Sequence, residues 1–470
     1  MNTRVSASGS RVPNTIARLI CLVTAGACAA PAGAPSPGPA APDPETPSAV
    51  ALPSPGPSPR PTDRPPCDPD NGGITLPAGF CATLFADGVT GARQLDVAAN
   101  GDVFVAGEDG NGVWALRDTD GDGHADEKGK FADGFGASHV ALFEGHLYVD
   151  HQPPNPETEP TIIERYPRHQ DSLSPEGPPE TIVADLPSGA PGHKTRNFAI
   201  TRDGSIYVNV GSPTDACQPA EHDREPDVAG LDPCPQLDTT AGIWRFDARM
   251  PGQTQAGAEH FARGIRNAVA ITTNPDDDTL WVAQHGRDNL GEWEHLEFTA
   301  EDNAEVPAEE LFQVNRGDDY GWPYCYFDPR LEARVLAPEY GGDGVTVGRC
   351  VAFDQNVGWF PGHWAPNAMM FYTGRMFPDR YQEGVFLAFH GSWNRAPLTQ
   401  GGFNVVFQPL GDGHATGPFE VFADGFAPNP NDEDAPENSR PTGLAQGRDG
   451  AVYVSDDARG RIWRIVYVGE

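Results

Sequence analysis

The sequence predicts an all-β fold, a six-bladed β-propeller, and three observations carry that expectation. The first is a recurring pair of strands joined by a tight turn. It reads "LDVAANGDVFVAG", "VALFEGHLYVD", "FAITRDGSIYVNV", "VAITTNPDDDTLWVA", "QEGVFLAFHG" and "GLAQGRDGAVYVSD" in chain order. Asn-Gly, Glu-Gly and Asp-Gly at these turns supply the positive φ angles that two-residue hairpins need. The second is a short lead-in strand: "LFADG", "KFADG", "IVADL", "HFARG" and "VFADG". The third is composition, 54 Gly and 48 Pro without a long amphipathic helical pattern, which favours turns over helices. Six such units with irregular insertions fit a propeller. A β-sandwich is the competing architecture, but it does not explain the recurring lead-in strand. The last strand, "GRIWRIVYV", is expected to share a blade with "FCATLFA" and so close the ring.

Ahead of the repeats, Arg4, Arg11 and Arg18 precede the apolar run "LICLVTAGACAA". That run is too short for a stable membrane span and has the form of an export signal, read as residues 1–28. Ala25, Gly26 and Ala27 stand before Cys28 as in a bacterial lipoprotein box, with Ala25 where Leu is usual. Cleavage at an Ala-x-Ala site is the other reading. Residues 29–66 are almost all Ala, Pro, Ser and Gly and form no core, so they read as a disordered, semi-extended tether. The propeller then occupies residues 67–470. Both readings export the chain, to the periplasm or to the outer membrane through a lipidated Cys28.

Cysteine usage agrees with export. Cys21 falls within the signal and Cys28 at its end, leaving Cys67, Cys81, Cys217, Cys234, Cys325 and Cys350. These make three sequence-local pairs without a zinc-like spacing. In an oxidising compartment they read as disulfides 67–81, 217–234 and 325–350, although spacing alone leaves other connectivities open. The charge balance is strongly acidic, 67 Asp and Glu against 32 Lys and Arg, net −35. Coulomb repulsion makes nucleic acid an unfit partner, and a solvated acidic surface is the simpler meaning.

Propellers bind ligands at one end of the central channel, on loops that enter and leave the innermost strands. Polar residues at those strand ends are therefore the candidates: His193–Arg196, Arg266–Asn267, His285–Asp288, Arg440 and the loop "HGSWNR", His390–Arg395. At these residues the chain resembles the quinoprotein sugar dehydrogenases. That group includes soluble glucose dehydrogenase, aldose sugar dehydrogenases and L-sorbosone dehydrogenases. The resemblance is carried by "GHKTRNFAITRDGSIYVNVGS", "ARGIRNAVAITTNPDDDTLWVAQHGRDNLG", "NRGDDYGWPYCY", "FHGSWNR" and "RPTGLAQGRDGAVYVSDDARGRIWRI". These segments run in the family's order and cover most of the chain from about Leu76 to Tyr467.

The resemblance implies a six-bladed propeller that uses pyrroloquinoline quinone (PQQ) and Ca2+. It implies that His193 is the catalytic base, a role suited to an imidazole that titrates near working pH. Arg266, Asn267 and Arg440 match cofactor-binding positions, and Arg395 stands where the glucose dehydrogenase branch has a lysine. Guanidinium forks suit a planar tricarboxylate. Gly286 and Arg287 match positions whose backbone carbonyls ligate the calcium. The implied reaction is oxidation of an aldose or sorbosone-like sugar, with electrons passing to an external quinone, cytochrome or dye. No CxxCH haem motif is present.

Two positions depart from the glucose dehydrogenase branch. Ser212 stands where an Asp orients the catalytic histidine, with Asp215 three residues on as a substitute. Thr442 stands where a second cofactor arginine is usual. Separately, "DTDGDGHADE", Asp118–Glu127, spaces its acids like an EF-hand loop, but Gly129 occupies the twelfth position. An acidic hairpin turn is an equal reading. The competing functions are a non-catalytic sugar- or protein-binding propeller and a calcium-dependent lactonase-type propeller.

Overall fold

The computed structural model describes residues 67–155, 159–188 and 192–469; the expected export signal, Cys28 and the tether lie outside them. Successive side chains of a strand point to opposite faces of its sheet. In this chain many strands are apolar on both faces: Gly384–Phe389, "GVFLAF", is buried throughout. Such a sheet must be covered on both sides, and stacking sheets around a ring does so.

Six antiparallel sheets result. Blade one comprises Ala92–Val97, Val103–Gly107, Gly112–Arg117 and Glu127–Ala132. Blade two comprises Gly136–Phe143, His146–Gln152, Thr161–Pro167 and Glu180–Leu186. Blade three runs Phe198–Ile200, Ser205–Val210, Gly242–Asp247 and Glu259–Arg263, and blade four Ala270–Thr273, Leu280–Gln284, Glu309–Val314 and Gly358–Phe360. Blade five is Pro366–Phe371, Gly384–Phe389, Asn404–Gly411 and Glu420–Ala423. Blade six takes Pro441–Gln446, Val452–Asp456 and Ile462–Tyr467, and its outer strand is the N-terminal Phe80–Ala86. There Phe80 opposes Tyr467 and Leu84 opposes Trp463, the closure expected from sequence.

The first strands of neighbouring blades touch in a closed ring around the axis. An apolar core fills each of the six gaps between adjacent blades. Polar groups cross the ring near one end of the channel. The buried Gln94 amide donates to Asn367 O on blade five (2.6 Å) and Thr442 O on blade six (2.9 Å). The bond from blade one to blade five skips blade six and so runs as a chord along one side of the ring. Ser138 bonds Asn197, and Asn197 bonds Val269 O, lacing blades two, three and four. Toward the opposite face lies a cavity lined by all six first strands, with Leu95, Val140, Phe198, Ile271, Met370 and Leu444 among its walls.

Disulfides join Cys67 to Cys81, Cys217 to Cys234 and Cys325 to Cys350, as read from the spacing. Each contributes about 3 kcal/mol by restricting the unfolded chain. The last two staple insertions of blades three and four, whose four cysteines pack with Trp322 and Tyr324 in one cluster. Among the described residues the α-helix is Ala300–Glu305, started by a Thr299–Asp302 capping box.

Candidate active site

In an antiparallel blade the first strand begins where the second ends. Residues that enter a first strand and residues that leave a second strand therefore collect at one end of the ring. Arg266, Asn267 and Arg440 are of the first kind; Ser212, His285 and His390 are of the second.

His193 lies half-buried in the loop before the first strand of blade three. Its Nδ1 is 2.7 Å from Ser212 O, and a carbonyl only accepts, so Nδ1 carries the proton. Nε2 has no hydrogen-bond partner among the described residues. The Ser212 hydroxyl is 3.3 Å from Nδ1 and donates to Thr214 O at 2.7 Å. The main chain of Ser212 thus orients the ring, and its backbone N is itself fixed by Arg266 O (2.8 Å). Burial, reinforced by the Arg266 cation, holds the imidazole well below its ordinary pKa. It is neutral, with a free lone pair on Nε2.

Arg266 is 4 % exposed; its Nη2 reaches Asp215 Oδ1 at 2.7 Å and Asp288 Oδ2 at 3.3 Å. Burial alone would raise the Asp215 carboxyl, but Arg266, Arg287 and Arg224 hold it below the usual range. Asp215 therefore pairs with arginines and does not bond His193. Arg287 binds Glu339 at 2.5 Å and approaches Asp215 at 3.4 Å. Asn267 is buried, with Oδ1 accepting from Asn209 Nδ2 (2.9 Å) and its carbonyl from His285 N (2.9 Å). The Gly286 N–H is fixed by Glu309 at 2.7 Å. The carbonyl oxygens of Gly286 and Arg287 accept no hydrogen bond from a described residue.

Across the mouth, Arg440 donates from Nε to His390 O (3.1 Å) and from Nη2 to Gly391 O (2.8 Å). Thr442 is buried and bonds Arg440 O. His390 Nε2 meets Asp457 at 2.9 Å; Asp457 also takes Arg93 Nη1 (2.7 Å), and Arg93 Nε lies 3.1 Å from Glu108. Arg395 points away from this ring: it donates to Ala304 O and Gly362 O, each at 2.7 Å, and pairs with Glu305. Its guanidinium props the loop carrying the short helix. Lys194 is exposed, while Arg196 is wholly buried.

The Asp118–Glu127 hairpin brings the carboxylates of Asp118, Asp120 and Asp126 together at the surface. Asp118 accepts from Gly121 N and Gly123 N, so the turn closes through its own hydrogen bonds.

Sequence reasoning missed three contributors. Arg224, on the Cys217–Cys234 insertion, reaches Asp288 at 3.0 Å; no periodic signal marks a residue on an insertion. Asp457, which ties the expected loop residue His390 of blade five to blade six, is equally silent in sequence. Arg93 was findable by the same argument as Arg266 and Arg440, since it lies at the start of the first strand of blade one.

A TrAA12-like family model matches residues 74–468. One curated relative, an uncharacterised protein of Borreliella burgdorferi, is 26% identical over 211 residues, 44% of this chain. The match spans about half (49%) of that relative's length. Among solved structures, the holo pyranose dehydrogenase PQQ domain from Coprinopsis cinerea superposes with a TM-score of 0.67 at 19% identity, covering 84% of this chain and 97% of that one. The calcium structure of the Trichoderma reesei carbohydrate-active enzyme of family AA12 gives 0.67 at 18%, covering 84% and 97%. The apo soluble aldose sugar dehydrogenase from Escherichia coli gives 0.56 at 14%, covering 83% and 99%. At these identities the superpositions speak to the fold. The family match runs from blade six's N-terminal strand to its last, and on it the chain belongs to the TrAA12-like family.

Proposed function

We propose that the protein is an exported, PQQ- and Ca2+-dependent sugar dehydrogenase in which His193 is the general base. The observation that carries this is the His193 geometry. A peptide carbonyl fixes the neutral tautomer and leaves Nε2 open beside an arginine cluster. Such a nitrogen takes a proton from a sugar hydroxyl without first losing one of its own.

The residues present fit the cofactor. Arg266 Nε is buried and lacks a hydrogen-bond partner, the signature of a missing acceptor, and a carboxylate of a tricarboxylate supplies one. Arg266, Asn267 and Arg440 would hold PQQ, and the open carbonyls of Gly286 and Arg287 suit a hard cation. Arg395 enters this set only by way of the helix loop it props. When bound, the cofactor supplies the hydride acceptor; the chain supplies orientation, charge and the base. Electrons leave to an external quinone, cytochrome or dye. Three disulfides support an oxidising compartment, and lipidation of Cys28 would tether the domain to a membrane.

The test is reconstitution of the full chain with PQQ and Ca2+, following dye reduction over a panel of aldoses and sorbosone. PQQ-dependent turnover of at least one sugar is expected; failure to bind PQQ overturns the proposal. A mature N-terminus other than modified Cys28, read by mass spectrometry, overturns lipidation alone.

A further inference from the structure

Arg196 is 0 % exposed, and among the described residues it pairs with no carboxylate. Every hydrogen bond it makes goes to a main-chain carbonyl. Nε and Nη2 both reach Pro187 O (2.9 Å from Nε), while Nη1 reaches His193 O at 2.8 Å and Thr195 O at 2.7 Å. Burying a cation without a counter-ion is costly, and burial does lower its pKa to about 10. Such an arrangement persists only where the donors satisfy something that nothing else satisfies.

What they satisfy is the His193 loop. The loop has no strand partner, and the His193 amide makes only a long 3.4 Å bond to Ser212 O. Lys194 beside it is exposed and makes no hydrogen bond or ion pair with a described residue. The flat guanidinium fork presents five N–H groups in one plane and gathers three carbonyls that accept from no other described group.

We infer that Arg196 is the positioning residue of His193. By drawing the carbonyls of Pro187, His193 and Thr195 around one buried guanidinium, it holds the ring with Nδ1 on Ser212 O and Nε2 toward the mouth. The inference rests on the reading of His193 as base and concerns how that base is aimed.

The experiment places Arg196→Met and Arg196→Lys in the full chain, with three readouts. In the cofactor-free protein, ¹⁵N spectra of the imidazoles report the His193 tautomer. PQQ affinity is read by fluorescence quenching. In the loaded protein, kcat and KM are measured with an aldose that the wild type oxidises. For Arg196→Met, kcat falls about 100-fold while KM and PQQ affinity stay within about threefold, the scale expected when a catalytic group is misplaced by about an ångström. The His193 signal changes from one tautomer to a mixture, and guanidinium ion, but not sodium at equal ionic strength, restores part of kcat. Arg196→Lys keeps the charge, reaches fewer carbonyls and loses about tenfold. The inference is overturned if the tautomer signal is unchanged in both variants. It is equally overturned if kcat, KM and PQQ affinity fall together in both without a response to guanidinium. Full kcat in both Arg196 variants with an inactive His193→Ala sinks only this inference, whereas turnover by His193→Ala sinks the reading beneath it.

Discussion

The two sides of the channel mouth each hold a histidine beside an arginine, yet they treat it oppositely. On the side of blades three and four, His193 is oriented through Nδ1 by the Ser212 carbonyl, and Nε2 is open. On the side of blades five, six and one, His390 has Nε2 tied to Asp457, which Arg93 holds in turn. A histidine with a carboxylate partner looks the more catalytic of the two. The geometry separates them: the Nε2 bond to Asp457 ties His390 across to blade six as a strut between blades, whereas His193 Nε2 bonds no described residue. A neutral carbonyl is the better orienter where a low pKa and a free lone pair are both wanted.

His193→Ala should lower kcat roughly 10³-fold with PQQ affinity nearly intact, whereas His390→Ala should lower kcat by less than about tenfold. Steady-state rates and fluorescence titration decide it, and a larger loss at His390 reverses the assignment. Next in size, Asp457→Asn should cost about 2–3 kcal/mol of stability at neutral pH, because Arg93 loses a partner in a mostly buried site. Despite burial, which opposes it, His390 and Arg93 hold the folded Asp457 carboxyl below its ordinary range. A depressed carboxylate stabilises the fold above its unfolded pKa, and that stability is lost as pH falls. The gap between wild type and variant in denaturant melts should therefore narrow in acid.

On the other side, Arg266→Ala should weaken PQQ binding roughly 10- to 100-fold, the size of one or two charge-assisted hydrogen bonds. An unchanged affinity would detach Arg266 from the cofactor. The lowered pKa of His193, set by burial and the Arg266 cation, predicts that the acid limb of kcat/KM lies below the ordinary histidine range, since the imidazole stays an unprotonated base there. A limb at or above the ordinary histidine range would mean that His193 carries its proton in the free protein. The smallest effect sharpens the contrast most: Ser212→Ala should change kcat by no more than about twofold, because the ring bonds the carbonyl and the hydroxyl bonds Thr214.

The ring was legible in the sequence because blades one, two, three and six turn between their first two strands through a positive-φ glycine: Gly101, Gly145, Gly204 and Gly450. The Glu-Gly of blade five is no such turn and follows a longer connection through Asp379–Gln382. The ends of blade six were legible as complementary unpaired strands. Arg266, Asn267 and Arg440 were legible by position, since whatever enters a first strand faces the mouth. What each donor binds was not. Arg395 and Arg196 both direct their guanidiniums onto backbone carbonyls, and a carbonyl has no side-chain identity to read. The same blindness made Ser212 look like the loss of a catalytic partner, when its main chain performs the orientation. Arg224 lay beyond reach because its position depends on how a disulfide-closed insertion folds back over blade four.

The placing of His193 and Arg440 at one end of the ring has a kinetic consequence. On the proposed chemistry the sugar and the electron acceptor call at that same opening, one after the other. The two visitors alternate, and double-reciprocal plots in sugar and acceptor should run parallel.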